Sequence, residues 1–292
     1  MTMKNYKLWM LSLVLVGLMS GCYKEDDIQT TKGDVLIDVK EGDDEVDQYI
    51  YRFYQANGSV IMYEFSELDY RWNMSSVVKN VTMVLQEDKA VLKNGLALME
   101  KVFFNVYDQD FQKNYFPLKI LMAKSIEKME WGIPTPQAVL TGLSYIAIGN
   151  IAPGVESLSR DEIRDIREKV NAEFWLSYLV KGGFIHVPES FYEVSKQYYQ
   201  EYLDRLPENE GVEEVDVKKY GFWKKDDYAS WAVLAPDRDL DFKDFMGVIT
   251  TTPYDELKPI LDKYGKLKDK YTILANTFKE KYHIDITLFG NR

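Results

Sequence analysis

The sequence predicts an α+β fold, on three observations. Segments whose apolar residues recur every 3.6 positions are separated by short apolar runs rich in β-branched residues. One helix start is written out as a capping box, Ser159-Arg160-Asp161-Glu162, in which serine and glutamate can satisfy the first free backbone N–H groups. The order of these elements is that of an α+β domain, and 46% apolar against 28% charged residues suffices for a full core in a chain of 292 residues.

Taken in order, Val46 to Gln55 predicts a first helix and Ser59 to Phe65 a strand. Glu87 to Tyr107 carries Val91, Leu92, Leu96, Leu98, Met99, Val102 and Phe103, a broad apolar stripe that predicts a long buried helix. Pro117 to Met122 and Leu143 to Ile148 follow as strands. The capped helix runs from Ser159 to about Val180 and stops at Gly182-Gly183. Further helices are expected over 189–205, 241–250 and 265–282, with Pro253 opening a short one between the last two. This body, residues 45–292, reads as a single domain.

The first residues stand apart from it. Lys4 and Lys7 precede an apolar run from Leu8 to Met19, then Ser20, Gly21 and the sole cysteine, Cys22, a secretory-signal layout over residues 1–21. One cysteine excludes an internal disulfide framework. Met19-Ser20-Gly21-Cys22 resembles the lipobox of bacterial lipoproteins, which implies cleavage before Cys22 and acylation of its thiol and amine. Two or three acyl chains anchor stably to a bilayer. Residues 22–44 then read as a lipidated, acidic tether with one apolar run, Val35 to Val39. Its start, Tyr23-Lys24-Glu25-Asp26-Asp27, resembles the export signal of surface-exposed outer-membrane lipoproteins. With 36 basic against 47 acidic residues the net charge is −11, and loss of Lys4 and Lys7 with the signal makes the mature chain more acidic still. Such a balance argues against a nucleic-acid partner, which needs a basic face.

The central helix holds Asn171-Ala172-Glu173-Phe174-Trp175-Leu176-Ser177-Tyr178-Leu179. With Asp47-Gln48-Tyr49-Ile50-Tyr51, Asp69-Tyr70-Arg71-Trp72, Pro117-Leu118-Lys119-Ile120, the region Tyr228 to Phe245 and His283-Ile284-Asp285-Ile286, its order and spacing resemble the zinc-binding metallopeptidase lipoproteins, also termed substrate-import-associated zinc metallohydrolase lipoproteins. The resemblance implies a zincin-like, gluzincin-type fold. It also implies the company of a TonB-dependent nutrient importer and its surface binding lipoprotein at the outer membrane, and a glycan or peptide as ligand.

In that family the helix carries HExxH. Two imidazoles at i and i+4 share one helix face, a further ligand arrives from downstream, and the glutamate deprotonates zinc-bound water. Here those positions read Ala172, Glu173 and Leu176, and the downstream acidic position reads Lys243, before Asp244. Neither a methyl nor an isobutyl group has a lone pair, so the sequence predicts a zinc site lost, Glu173 vestigial, and a pseudoenzyme with a binding or docking role. The alternative is an active hydrolase that holds zinc through a rearranged set, Glu173, His186 and Asp244. A third reading is a structural scaffold for the importer.

Other candidates are weaker. His186 reads more simply as a hydrogen-bonded loop residue. Asp237, Asp239, Asp241 and Asp244 alternate as in a calcium loop, but Phe242 and Val248 occupy the places of its glycine and bidentate glutamate, so Asp241 is expected to cap a helix. Glu208 to Glu214 reads as a solvated loop. Neither a Gly-x-Ser-x-Gly elbow nor a phosphate-cradling loop is present. The aromatic residues Tyr192, Tyr198, Tyr199, Tyr202, Phe222, Trp223, Tyr228 and Trp231 read mainly as core, with ligand stacking as the alternative.

Overall fold

The computed structural model describes residues 39–71 and 80–292. The signal, Cys22, the tether to residue 38 and Trp72 therefore lie outside the described residues.

Helix α1 (Glu45–Asn57) starts where the Asp44 carboxylate accepts from the Asp47 amide at 2.9 Å, and ends at Gly58, whose φ of 77° suits a residue without Cβ. Strand β1 (Val60–Met62), the short α2 (Glu67–Arg71) and β2 (Val81–Leu85) follow, then α3 (Lys89–Val102), capped by Asp88, and α4 (Gln109–Tyr115). Four strands come next, β3 (Lys119–Glu130), β4 (Ile133–Pro136), β5 (Val139–Thr141) and β6 (Tyr145–Ile148). Beyond them lie α5 (Arg160–Glu173), continued by a π-helical stretch Phe174–Val180, then α6 (Glu189–Glu193), α7 (Arg238–Thr251), α8 (Tyr254–Lys263) and α9 (Gly265–Tyr282).

The sheet is mixed and organised on β3. Its first half lies between β1 and β6, both parallel to it, with Ile120 opposite Ile61 and Ile146. Its second half pairs antiparallel with β2 and β4, Ile126 opposite Met83 and Met129 opposite Pro134. Strand β5 runs antiparallel along β6. Alternation along β3 and β6 sends Ile120, Met122, Ile146 and Ile148 into the main core among the helices, and Leu121, Ala123, Tyr145 and Ala147 into a second cluster on the other face with Val81 and Met83. The main core centres on aromatic rings. Phe103 stacks on Phe116 at 4.8 Å and meets Phe174 edge-on at 5.0 Å.

The capping box forms, Ser159 and Glu162 each serving the other's backbone amide. Three expectations change. The strand from Pro117 runs on to Glu130, because β2 and β4 supply partners for a half whose buried residues alternate with exposed ones. The helix expected over 189–205 stops at Glu193 and gives way to i→i+3 turns, such as the Tyr198 amide to the Ser195 carbonyl at 2.9 Å, while Ser195 Oγ donates to the Tyr220 carbonyl at 2.7 Å and the Leu203 amide to the Val233 carbonyl at 2.8 Å. Asp237, not Asp241, caps α7, accepting from the Leu240 amide at 2.8 Å.

Asp241 instead enters the core. Its carboxylate accepts from Lys270 Nζ of α9 at 2.7 Å and from the Tyr199 hydroxyl at 2.6 Å, and Lys270 also donates to the Gly221 carbonyl at 2.9 Å; both charged side chains have 0% exposure. Rings of Phe191, Phe222 and Phe245 lie within 5.7 Å of the ammonium. Burial pushes the Lys270 ammonium down to about 8, against the pull of Asp241. Removing one partner strands the other charge. Asp241→Ala is expected to cost about 3–5 kcal/mol in denaturant unfolding, whereas Asp241→Leu with Lys270→Met, which removes both charges, recovers most of that loss.

Candidate functional site

The residues at the motif positions sit where α5 passes into its π-helical continuation. Three devices hold this helix. Asn171 Nδ2 donates to the Val102 carbonyl at 2.8 Å, Tyr107 Oη donates to Asn171 Oδ1 at 2.7 Å, and Trp175 Nε1 donates to Tyr107 Oη at 2.9 Å, a fully buried chain. Arg167 donates to the carbonyls of Thr250 and Phe289 at 2.6 and 2.8 Å. Gly247 of α7 lets the two helices approach: a Cβ there would meet Glu168 Cγ at 2.8 Å.

Ala172 and Leu176 are buried, at 5% and 6% exposure. Glu173 keeps a partly open carboxylate, and Lys243 Nζ of α7 donates to its Oε2 at 2.8 Å. Thr141, at the end of β5, reaches Oε1 at 3.5 Å. Burial raises the Glu173 carboxyl, but the Lys243 ammonium more than offsets this, so its pKa stays below the usual value. The structure thus joins two of the sequence-predicted positions, Glu173 and Lys243, as an ion pair.

Asp244, the next residue, faces elsewhere. It forms no ion pair among the described residues and lies near Lys224 and Glu168, which bond to each other. Burial pushes its carboxyl up to about 7; Lys224 opposes the rise, and Glu168 and Asp241 add to it. His186 is exposed in the loop after the π-helical stretch, its backbone amide donating to the Tyr282 hydroxyl at 2.9 Å.

These residues do not fit a zinc ion. Two motif positions offer only hydrocarbon, the third retained donor is neutralised by an ammonium, and among the described residues no three His, Cys, Asp or Glu side chains converge in a metal-holding group. Glu173, His186 and Asp244 therefore form no ligand set. Backbone geometry differs as well. The Lys181 amide bonds to the Leu176 carbonyl at 2.9 Å, the i→i+5 pattern of a π-helix, so Leu176 lies in π geometry, outside the α-helical turns on which i, i+4 ligation depends.

Most of the aromatic run between 190 and 232 belongs to the core, Phe222 and Trp223 included, but Tyr228 and Trp231 stand 83% and 70% exposed. Sequence reasoning missed the largest cavity described, about 1050 Å³, walled by the 214–218 turn, residues 223–227, Val233 and the end of α8. Its signal was present as two lysine pairs, Lys218-Lys219 and Lys224-Lys225, bracketing Tyr220 to Trp223 in an acidic chain.

In architecture the chain is similar to a solved structure, that of a candidate zinc-binding metallo-peptidase from Bacteroides caccae, at a TM-score of 0.51 and 12% identity over 84% of this chain and 88% of that one. At this identity the likeness is one of fold. No protein-family profile matches the chain, and no curated protein matches its sequence. The class defined by fold and site is thus a mixed α/β protein with a metallopeptidase-like fold.

Asp244 gives a pH test. Its folded pKa, about 7, lies above the ordinary aspartate value of 3.8, so between these values the folded state binds more protons, and the stability the group contributes is lost as pH rises through 7. Asp244→Asn is expected to raise the melting temperature more at pH 8 than at pH 5; equal shifts at both would refute the assignment.

Proposed function

We propose that this protein is a surface lipoprotein of the outer membrane, anchored through Cys22, that accompanies a TonB-dependent nutrient importer and its surface binding lipoprotein. In this reading it is a zincin-like pseudoenzyme that has exchanged zinc chemistry for a binding or docking role toward a peptide or glycan. One observation carries the reading: the Lys243 ammonium, 2.8 Å from Glu173, occupies the charge position opposite the retained glutamate, between two buried hydrocarbon side chains. A water near Glu173 then keeps a pKa near the bulk value of about 15.7 rather than about 7, so no hydroxide nucleophile forms at neutral pH. Fold similarity to a protein named for zinc binding supports the descent, and the lipobox supports the anchor.

Elemental analysis tests the proposal. The purified chain should carry no stoichiometric zinc, and a variant with Ala172→His, Leu176→His and Lys243→Glu should acquire it. The π geometry at Leu176 should make that affinity weaker than an α-helical motif would give. Stoichiometric zinc in the unaltered protein would overturn the reading, and absence of zinc from the variant would overturn descent from an HExxH site.

A further inference from the structure

The 1050 Å³ cavity lies outside the motif positions, since none of Ala172, Glu173, Leu176 and Lys243 lines it. Its size is that of a ligand site. The apolar part of its wall is aliphatic, Val215, Val217, Val233 and Ile260, beside the rings of Trp223 and Tyr264. Its charges are layered. Lys218 and Lys225 are half-buried, whereas the carboxylates of Glu214 and Asp227 stand exposed at the outer edge. The third wall carboxylate, Asp216, is already committed, accepting from the Tyr264 hydroxyl and, at 3.1 Å, from the Lys218 amide. Neither Lys218 nor Lys225 pairs with a carboxylate among the described residues; Lys225 reaches only the Ala232 carbonyl, at 3.4 Å. Asp216 feels the Lys218 charge, but the four wall lysines, Lys218, Lys224, Lys225 and Lys263, outnumber the three wall carboxylates, and in a chain of net charge −11 such a place attracts an anionic group.

Two further observations concern the ligand's body. Tyr228 and Trp231, both exposed, belong to the loop that joins the wall residues Asp227 and Val233. The indole N–H of Trp223, itself a wall residue and 8% exposed, is buried and has no hydrogen-bond acceptor among the described residues. The wall contains no amide, guanidinium or aliphatic hydroxyl side chain, and its only hydroxyl, that of Tyr264, is committed to Asp216. Aliphatic surface interspersed with lysine is complementary to alternating apolar and carboxylate side chains on an amide backbone.

We propose that this cavity binds an acidic peptide segment, its carboxylates directed to Lys218 and Lys225, its apolar side chains to Val215, Val217 and Ile260. This rests on the non-catalytic binding role above and names its site and ligand class.

The experiment incubates the full chain with a randomised decapeptide library on beads and sequences the retained peptides. Retained peptides should be enriched in Asp and Glu next to aliphatic residues. The enrichment should fall at least tenfold with Lys218→Glu and Lys225→Glu combined, persist with Lys218→Arg and Lys225→Arg, and be unchanged by Glu173→Gln, all variants melting like the parent. A pool without acidic enrichment, or one that charge reversal leaves intact, overturns the proposal. Loss of binding on Glu173→Gln would place the ligand on α5, and retention of uronate oligosaccharides in place of peptides would assign the lysines to a glycan; either result also overturns it. The zinc measurement reads positions 172, 176 and 243 and is independent of these outcomes.

Discussion

The second half of the chain depends on one ion pair in a medium that disfavours it. Lys270 and Asp241 join α9 to α7, and through the Gly221 carbonyl and the Tyr199 hydroxyl they also fix two segments that have no regular helix or strand to hold them. Burying both charges carries a desolvation penalty that the attraction repays only when further hydrogen bonds are made. Here Lys270 bonds also to the Gly221 carbonyl and the Tyr199 hydroxyl and Asp241 Oδ2 to that hydroxyl, while Asp241 Oδ1 has no partner among the described residues, and the aromatic rings around the ammonium add a face that tolerates a cation. The geometry of α7 is thereby set, and α7 is the element that brings Lys243 to Glu173.

The second pair, Glu173 with Lys243, shows how a partly buried carboxylate is held ionised by a side chain of the neighbouring helix. Glu173 is partly buried next to two hydrocarbon side chains, and without a counter-charge desolvation would raise its pKa. The ammonium of Lys243 supplies that charge covalently attached to the neighbouring helix, at 2.8 Å. A lysine delivers charge without an open coordination position, so it stabilises the carboxylate without activating a water. Ala172 and Leu176 then gain by packing where imidazoles would have to reach outward.

Local signals were the legible ones. The capping box and the 265–282 helix could be read from sequence because each rests on residues within a few positions of one another, and Gly265–Tyr282 has the expected bounds. What was not legible depends on partners far along the chain. Strand β2 lacked a marked pattern, and β3 appeared half its length, because Ile126 and Met129 become strand residues only with Met83 and Pro134 opposite. Past the end of helix α6, Ser195 bonds to the Tyr220 carbonyl, 25 residues away. Asp241 looked like a cap because aspartate usually is one; only the arrival of Lys270 makes it a core residue. At the site, the lack of a lone pair at Ala172 and Leu176 was readable from side-chain chemistry alone, while the π geometry of Phe174–Val180, whose rings pack against Phe103 and Phe278, was not.

The motif helix and the cavity are adjacent through a single contact. Lys224 lines the cavity and bonds to Glu168, one helical turn before Ala172, and Asp244 feels both charges. Glu168 is also the side chain that Gly247 accommodates at the tightest crossing of α5 and α7. A ligand anion drawn toward Lys224 would compete with Glu168 for it, and a Glu168 carboxylate freed of its partner would raise the cost of ionising Asp244 further. An anion that reached Lys224 would thus be linked to the protonation of Asp244, and by reciprocity a proton on Asp244 would favour that anion by as much as the anion favours the proton.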